Sequence, residues 1–395
     1  MHGRHRRGTI FVSLRILFLA PQPFFGVRGT PLAVAALTRT LGELGHEVDL
    51  LTFPQGEGWS APGVRHFRSA RLTSGRIRPG FSVGKMLQDV PFAWRAIGLI
   101  RSGVYDVVHA VEESAFLVAP FLPSGVKFVV DMDSDLGEQL GHSRSALARA
   151  LGPLARSLHE RSLRRADLAI VINARLEEAA RRARPTLPVH RLEDPPLVSA
   201  LTDADGDAAR ALRLELNLGD APVALYTGNF EAYQGVELMA HAAALSERAI
   251  FVFVGGEAED IASLKARLGP ASVSRCRFVG KQPPDALPRW MALADVLVSP
   301  RILGGNTPFK VYTYLASGRP IVATRLDTHT QVLSDETAFL VEPTTTALAE
   351  GIDVAISDPL ERARRAANGR ALLDRDYSAA RYREKVEAAY ATLRP

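Results

Sequence analysis

The stretch NTPFKVYTYLASGRPIVAT, residues 306–324, holds a lysine where elementary electrostatics disfavours one. Thr307 suits an N-cap, Pro308 the first helical position and Gly318 the position just past the end, so the stretch predicts a short helix followed by a buried strand. Lys310 then sits in the first turn, where the helix dipole is positive and a cation costs about 0.3–1 kcal/mol. An anion sharing that end would account for it, because exposed N–H groups and the dipole already form an anion site. The other reading is a lysine that runs its stem along the helix and puts its ammonium in water at small cost. A second end of the same type follows the first apolar run, in PQPFFGVRGTPLAV. There Thr30 and Pro31 open a helix, and Arg28, flanked by Gly26 and Gly29, lies two residues before the cap. Two such ends facing across a cleft would suit a diphosphate.

Other residue types with chemical potential are scattered. His109 ends the run YDVVHA, where a hydrogen-bonded structural histidine and a ligand contact are both open. Asp131, Asp133 and Asp135 alternate, but spacing of two with no fixed partner does not make a metal site, and none is expected. Glu112 and Glu113 read as solvated loop charges. Gly255 and Gly256 after FVFV read as a turn that lets a ligand approach the backbone. The single cysteine, Cys276, excludes an intramolecular disulfide and a Cys-based zinc site.

These residues must be held by elements, and the pattern names them. Short apolar runs (RILFLA, EVDLLT, YDVVHA, VKFVVD, DLAIVI; then PVALYT, IFVFVG, DVLVSP, PIVAT, AFLVEP) alternate with longer helical stretches. Continuous β-branched runs are strands buried on both faces, and strand–helix alternation implies parallel sheets. In 395 residues, 47% of them hydrophobic, two sets of such strands predict two doubly wound Rossmann-like α/β domains with a cleft between them. The expected bounds are 14–197 and 221–395, joined by a polar, acidic linker at 198–220 that two prolines, Pro195 and Pro196, precede, with the last helix free to pack back on the first domain. Ligands in such sheets bind at the carboxyl ends of the strands, where the two basic helix starts lie. Residues 54–95 break the alternation; they are long, basic and aromatic. The stretch 142–169 is amphipathic, with Leu147, Leu151, Leu154 and Leu158 at helical spacing and Gly152–Pro153 expected to kink or split it. The net charge is +5, and six of the 48 basic residues are lysine.

The ordered set of motifs resembles a known family. RILFLAPQPFFGVRGTPLAVAALTRTLGELGHEVDLLT, YDVVHAVEES, LHERSLRRADLAIVIN, LYTGNFEAYQGVELM and ADVLVSPRILGGNTPFKVYTYLASGRPIVAT are similar, in order, to the retaining glycosyltransferases of family 4, glycosyl transferases group 1, with the GT-B fold. The resemblance implies a nucleotide-diphosphate sugar as co-substrate, held mainly by the second domain, and a glycan or lipid-linked acceptor held by the first. It implies no metal or other cofactor and front-face transfer with retention, the leaving phosphate helping to deprotonate the acceptor. It places His109 by the transferred sugar and Asp133 near the acceptor hydroxyl as base or orienter. Around the donor it places Gly26, Arg28 and Gly29, Gly228, Asn229 and Gln234, Gly255, Lys281 beside Gly280, Arg301, Asn306, Thr307, Lys310 and Thr313.

Three departures stand out. The loop TGNFEAYQG offers Asn229 or Glu231 and Gln234 where the family has an Arg and a Lys. The family's two glutamates map onto Gly305 and Thr313, and Thr313 offers the ribose one hydroxyl in place of a carboxylate. Asp133 stands for a histidine. With Gln234 uncharged, Lys310, Arg301, Lys281 and Arg28 are left to supply positive charge, Lys310 first. The arginines of 149–165, with Phe67, Phe81 and the basic residues of 65–85, fit either a solvated face or an anionic membrane surface. Nucleic acid is not expected, as no such motif accompanies the charge. No apolar run reaches the roughly 18 residues of a membrane span. The start, MHGRHRRGTIFVSLRILFLAP, reads better as a basic head before a strand than as a signal peptide, so a cytoplasmic chain is expected. A non-catalytic sugar-nucleotide or glycan-binding protein on the same fold is the rival reading. A sugar-nucleotide epimerase is a further one, without an acid/base constellation to support it.

Overall fold

A computed structural model of the protein describes residues 13–26, 29–73, 82–134, 146–198 and 200–394. Arg28, Asp135, Arg76, Arg78 and Phe81 lie outside them. The chain forms two compact units. The first takes in most of the chain up to Leu192 together with Lys385–Pro395, and the second takes in Glu193–Glu384.

The first unit is built on a seven-stranded sheet. Its strands are β1 (Arg15–Ala20), β2 (Glu47–Thr52), β3 (Val64–Arg68), β4 (Val107–Val111), β5 (Lys127–Met132), β6 (Leu168–Val171) and β7 (Val189–Arg191), in the order 3-2-1-4-5-6-7. Every pairing is parallel, with Phe18 of β1 beside His109 of β4. Helices α1 (Gly29–Glu43), α2 (Val83–Arg101), α3 (Ser114–Val118), α4 (Ala146–Arg165) and α5 (Ala174–Ala183) connect them. The apolar runs are buried as expected of strands covered on both faces. On one face Leu17, Leu19, Leu51 and Val108 pack with Phe92 and Ala96 of α2, Val118 of α3 and Leu163 of α4. Each large side chain so buried contributes about 1.5–3 kcal/mol.

The second unit repeats the plan with six parallel strands: β8 (Val223–Thr227), β9 (Ile250–Val254), β10 (Cys276–Gly280), β11 (Val296–Ser299), β12 (Ile321–Thr324) and β13 (Phe339–Val341), in the order 10-9-8-11-12-13. Both sheets therefore reverse direction beside their first strand, between β1 and β4 and between β8 and β11. A doubly wound sheet opens a crevice at that point.

Several expectations change. The expected linker contains a helix, Asp203–Glu215, closed by a Thr202–Asp205 capping box, and its Ala209 and Leu212 join the core of the second unit. The anomalous segment 54–95 holds β3 and most of α2, and Phe67 packs toward the core. Pro153 neither ends nor divides α4, which runs through it. Helix α1 begins at Gly29, so Thr30 lies inside it and not at its cap. Thr307 likewise does not cap: the later helix spans Phe309–Ser317, Pro308 flanks it in extended conformation, and no side chain caps it. Gly318 closes it in the left-handed region (φ 69°), as its type predicts.

Candidate functional site

In the second unit the reversal point is lined by the loop after β8, the loop after β11 and the start of helix Phe309–Ser317. Gly228 leaves β8 with φ 142°, and a Cβ there would stand 2.9 Å from both the Lys310 Nζ and the Tyr226 hydroxyl. Only glycine leaves Lys310 its room. Gly255, at φ 122°, passes so close that a Cβ would meet the Gly228 carbonyl at 1.9 Å. Tyr226 fixes the loop by donating its hydroxyl to the Asn229 carbonyl (2.6 Å), and the Asn229 side chain accepts from the Glu231 N–H (3.3 Å). Asn229 thus shapes the loop.

Lys310 is enclosed. Its Nζ donates to Gln234 Oε1 (3.2 Å) and stands 3.8 Å from the centre of the Tyr226 ring. Among the described residues no carboxylate forms an ion pair with it. Burial, and after it the charge of Arg301, pull its ammonium well below the ordinary lysine range. Arg301 lies over the Tyr233 ring (5.1 Å) and donates Nη1 to the Asn306 carbonyl (2.6 Å) and to Thr328 Oγ1 (2.9 Å). Its Nε is buried without a hydrogen-bond partner, and burial lowers its guanidinium too. The result is a strand-end wall holding a desolvated lysine and a desolvated arginine. Their neighbours are an amide, two phenol rings, hydroxyls and backbone carbonyls. Such a wall is incomplete without negative charge, and it fits a phosphate or diphosphate.

His329, which the sequence reading missed, underlies this wall. Fully buried, it holds Ser299 Oγ at Nε2 (2.8 Å) and the Thr324 carbonyl at Nδ1 (2.7 Å). Burial brings its imidazole to about 4, so it adds no charge at neutral pH. Its place at the carboxyl end of β12 was the available signal. Two expected donors are engaged elsewhere. Lys281 is exposed and ion-paired with Glu257 (2.6 Å). Thr313 is buried, and its hydroxyl accepts from the Leu197 N–H (3.1 Å), tying the connecting segment to the helix. Thr307 lies against the Tyr312 phenol.

The first unit's reversal point differs. His109 is fully buried, its ring stacked on Phe18 at 4.0 Å. Nδ1 meets the Tyr390 hydroxyl (2.7 Å) and Nε2 meets Asp131 Oδ2 (2.9 Å). Both ring nitrogens are engaged here, and the Tyr390 contact ties His109 to the C-terminal helix. Asp133 stands half-buried one residue past β5, and Asp131, not Asp133, is the carboxylate on the histidine. Gly26 and Gly29 border open space. Glu112 and Glu113 are not solvated charges. Glu113 is buried and paired with Lys85 of α2, and Glu112, at φ 50°, accepts from Ser134 Oγ (2.9 Å). Asp89 joins them. Burial and the charge of Glu113 push its carboxyl up to about 8. Burial also raises Glu112, and burial alone would lower Lys85, but the surrounding carboxylates outweigh it and hold the lysine charged.

Two family models match in chain order. Residues 28–193 match the glycosyl transferase 4-like domain, and residues 221–358 match glycosyl transferases group 1. The chain belongs to the group 1, family 4-like glycosyltransferases. Among curated proteins it is 26% identical over 297 residues to alpha-D-kanosaminyltransferase of Streptomyces kanamyceticus, covering 71% of this chain and 75% of that one. Among solved structures it is similar to sucrose-phosphate synthase from Thermosynechococcus elongatus, with a TM-score of 0.78 and 21% identity over 96% of this chain and 99% of that one. It is also similar to HepE of Anabaena in complex with UDP-glucose, with a TM-score of 0.73 and 17% identity over 96% and 100%. These structural likenesses bear on fold: the glycosyltransferase has the two Rossmann-like sheets of GT-B proteins. No helix among its described residues is long and apolar enough to cross a membrane.

Proposed function

We propose that the protein is a retaining hexosyltransferase that moves a sugar from a nucleotide-diphosphate sugar to a glycan or lipid-linked acceptor, without a metal or cofactor. Lys310 carries the reading. It is a desolvated lysine with no carboxylate partner, at the strand-end reversal of the second unit and beside Arg301. A diphosphate there would restore the missing negative charge, and the two cations would stabilise the leaving group as it departs. Preorganised charge of this type is worth most when it meets charge that develops in the transition state. Gln234 then orients Lys310 in place of acting as a second cation.

The reading places donor binding in the second unit and the acceptor on the first, at a cytosolic membrane face. The kanosaminyltransferase likeness makes amino-hexose donors a sensible part of any substrate panel. Slow donor hydrolysis without acceptor is the expected signature, undiminished by a chelator. Loss of activity with chelator would overturn the metal-free mechanism. Tight donor binding with no hydrolysis or transfer would favour a binding protein on the same fold, a reading that the engaged Thr313 hydroxyl supports.

A further inference from the structure

Helix α2 is apolar on two opposite sides. One side, with Gln88, Phe92, Ala96 and Ile100, is buried against the sheet. On the other, Met86, Val90 and Trp94 follow one another at four-residue spacing and are 45%, 63% and 82% exposed. Residues four apart on a helix form one surface row. A tryptophan so exposed on a packed helix is unusual, since an indole buries apolar area wherever it can. The neighbouring helices carry exposed apolar side chains too. Helix α3 packs between α2 and α4, and Leu154 and Leu158 of α4 are 56% and 38% exposed. The charges around these apolar side chains are mainly arginine: Arg95 and Arg101 on α2, and Arg149, Arg156, Arg161 and Arg164 on α4 are all exposed. The acidic side chains of the same helices are engaged, Asp89 turned toward Lys85 and Glu113, and Glu160 placed 3.8 Å from Arg164.

We propose that the α2–α4 face of the first unit docks on an anionic lipid bilayer, with the Met86–Val90–Trp94 row at the headgroup–acyl boundary and the arginines on lipid phosphates. Charge complementarity selects the occupant. An apolar row with tryptophan, rimmed by arginine, matches a surface that is negative outside and apolar just beneath. Each arginine near such a surface adds attraction that falls off within a Debye length, so the contact weakens with salt. The proposal rests on reading the first unit as the acceptor side. It adds which helix face of that unit meets the membrane and which side chains enter it.

The test uses the full chain and vesicles of phosphatidylcholine alone or with an equal part of phosphatidylglycerol. Flotation should recover the protein with the anionic vesicles at low salt and much less at physiological salt, and Trp94 emission should shift to the blue on binding. The variant Val90→Ser/Trp94→Ser should lose most of that recovery, on the order of tenfold, and keep its affinity for a nucleotide sugar. Failure to float with anionic vesicles at low salt overturns the docking face, as does flotation that the double variant leaves unchanged. A concentration-dependent dimer abolished by the double variant would assign the row to a second copy of the chain and overturn the proposal. Nucleotide-sugar binding, measured on the same samples, reports separately whether the donor reading stands.

Discussion

The two strand-end reversals of this molecule share a topology and oppose each other in charge. In the second unit, Lys310 and Arg301 stand desolvated with amide, phenol and hydroxyl neighbours. In the first, Asp89, Glu112 and Glu113 surround a single lysine, Lys85. Burial penalises charge in both places, so Lys310 is pushed toward the neutral amine and Asp89 toward the neutral acid. The lesson is that the fold fixes where ligands bind and the few side chains at strand ends fix what can bind. A cationic wall awaits an anion. The carboxylate cluster of the first unit already holds its own cation.

The sharpest way to break this contrast is at Lys310. Lys310→Ala should lower sugar transfer by about a hundred- to a thousandfold, the loss expected when one preorganised donor to a developing negative charge is removed. Nucleoside-diphosphate binding should weaken by about 1.5–3 kcal/mol, while the melting temperature is maintained. Calorimetry giving equal affinity for parent and variant would remove the donor site from this wall.

The pH dependence of donor affinity sharpens it further. Lys310 is depressed in the free protein and regains its proton beside a diphosphate, so the complex holds more protons than the free chain between the two values. Affinity for a nucleotide sugar should therefore strengthen as pH falls through that window, by up to about tenfold per pH unit, and level off at either side. Lys310→Arg, which stays charged throughout, should flatten the profile. Titrations in buffers of different ionisation enthalpy would count the proton directly.

The next effect is structural and confined to the first unit. Tyr390→Phe removes the partner of His109 Nδ1 and should cost about 1–3 kcal/mol of stability, because a buried ring nitrogen is left unsatisfied. Donor affinity should not move. A variant that loses transfer while keeping its denaturation midpoint would return His109 to the chemistry.

The last effect, expected at Asp89, is one of pH dependence. Its folded carboxyl lies near 8, above the unfolded value, so the unfolded chain releases this proton first and folding is penalised increasingly as pH climbs from the ordinary carboxylate range toward 8. Asp89→Asn removes the penalty. Its melting temperature relative to the parent should rise between pH 5 and pH 8; a difference constant across that range would show that the carboxyl is ionised throughout.

Much of the architecture is legible in local sequence because continuous apolar strands and punctuating glycines are local signals. β3 and β7 escape because VRHFR and VHR mix charge into short, half-covered edge strands. Lys310 announces itself through a conflict with the helix dipole, and Gly228 through a backbone at φ 142° that favours glycine. The Lys85–Glu113 pair is not legible, since 28 positions separate its members and only packing of α2 against α3 brings them together. The His109–Tyr390 contact is hidden for a related reason. Its hydroxyl partner lies 281 residues away. The outward row on α2 is hidden by periodicity itself, because a helix apolar on two sides reads as a buried one.

That distant hydroxyl also bears on the order in which the molecule can be finished. The ribosome makes Tyr390 only after the whole second unit, yet the tyrosine belongs to the first. During synthesis the earlier sheet must wait, its buried histidine half-satisfied, while nearly two hundred later residues emerge and fold. A fragment ending near Leu192 therefore lacks the helix that carries the histidine's hydroxyl partner.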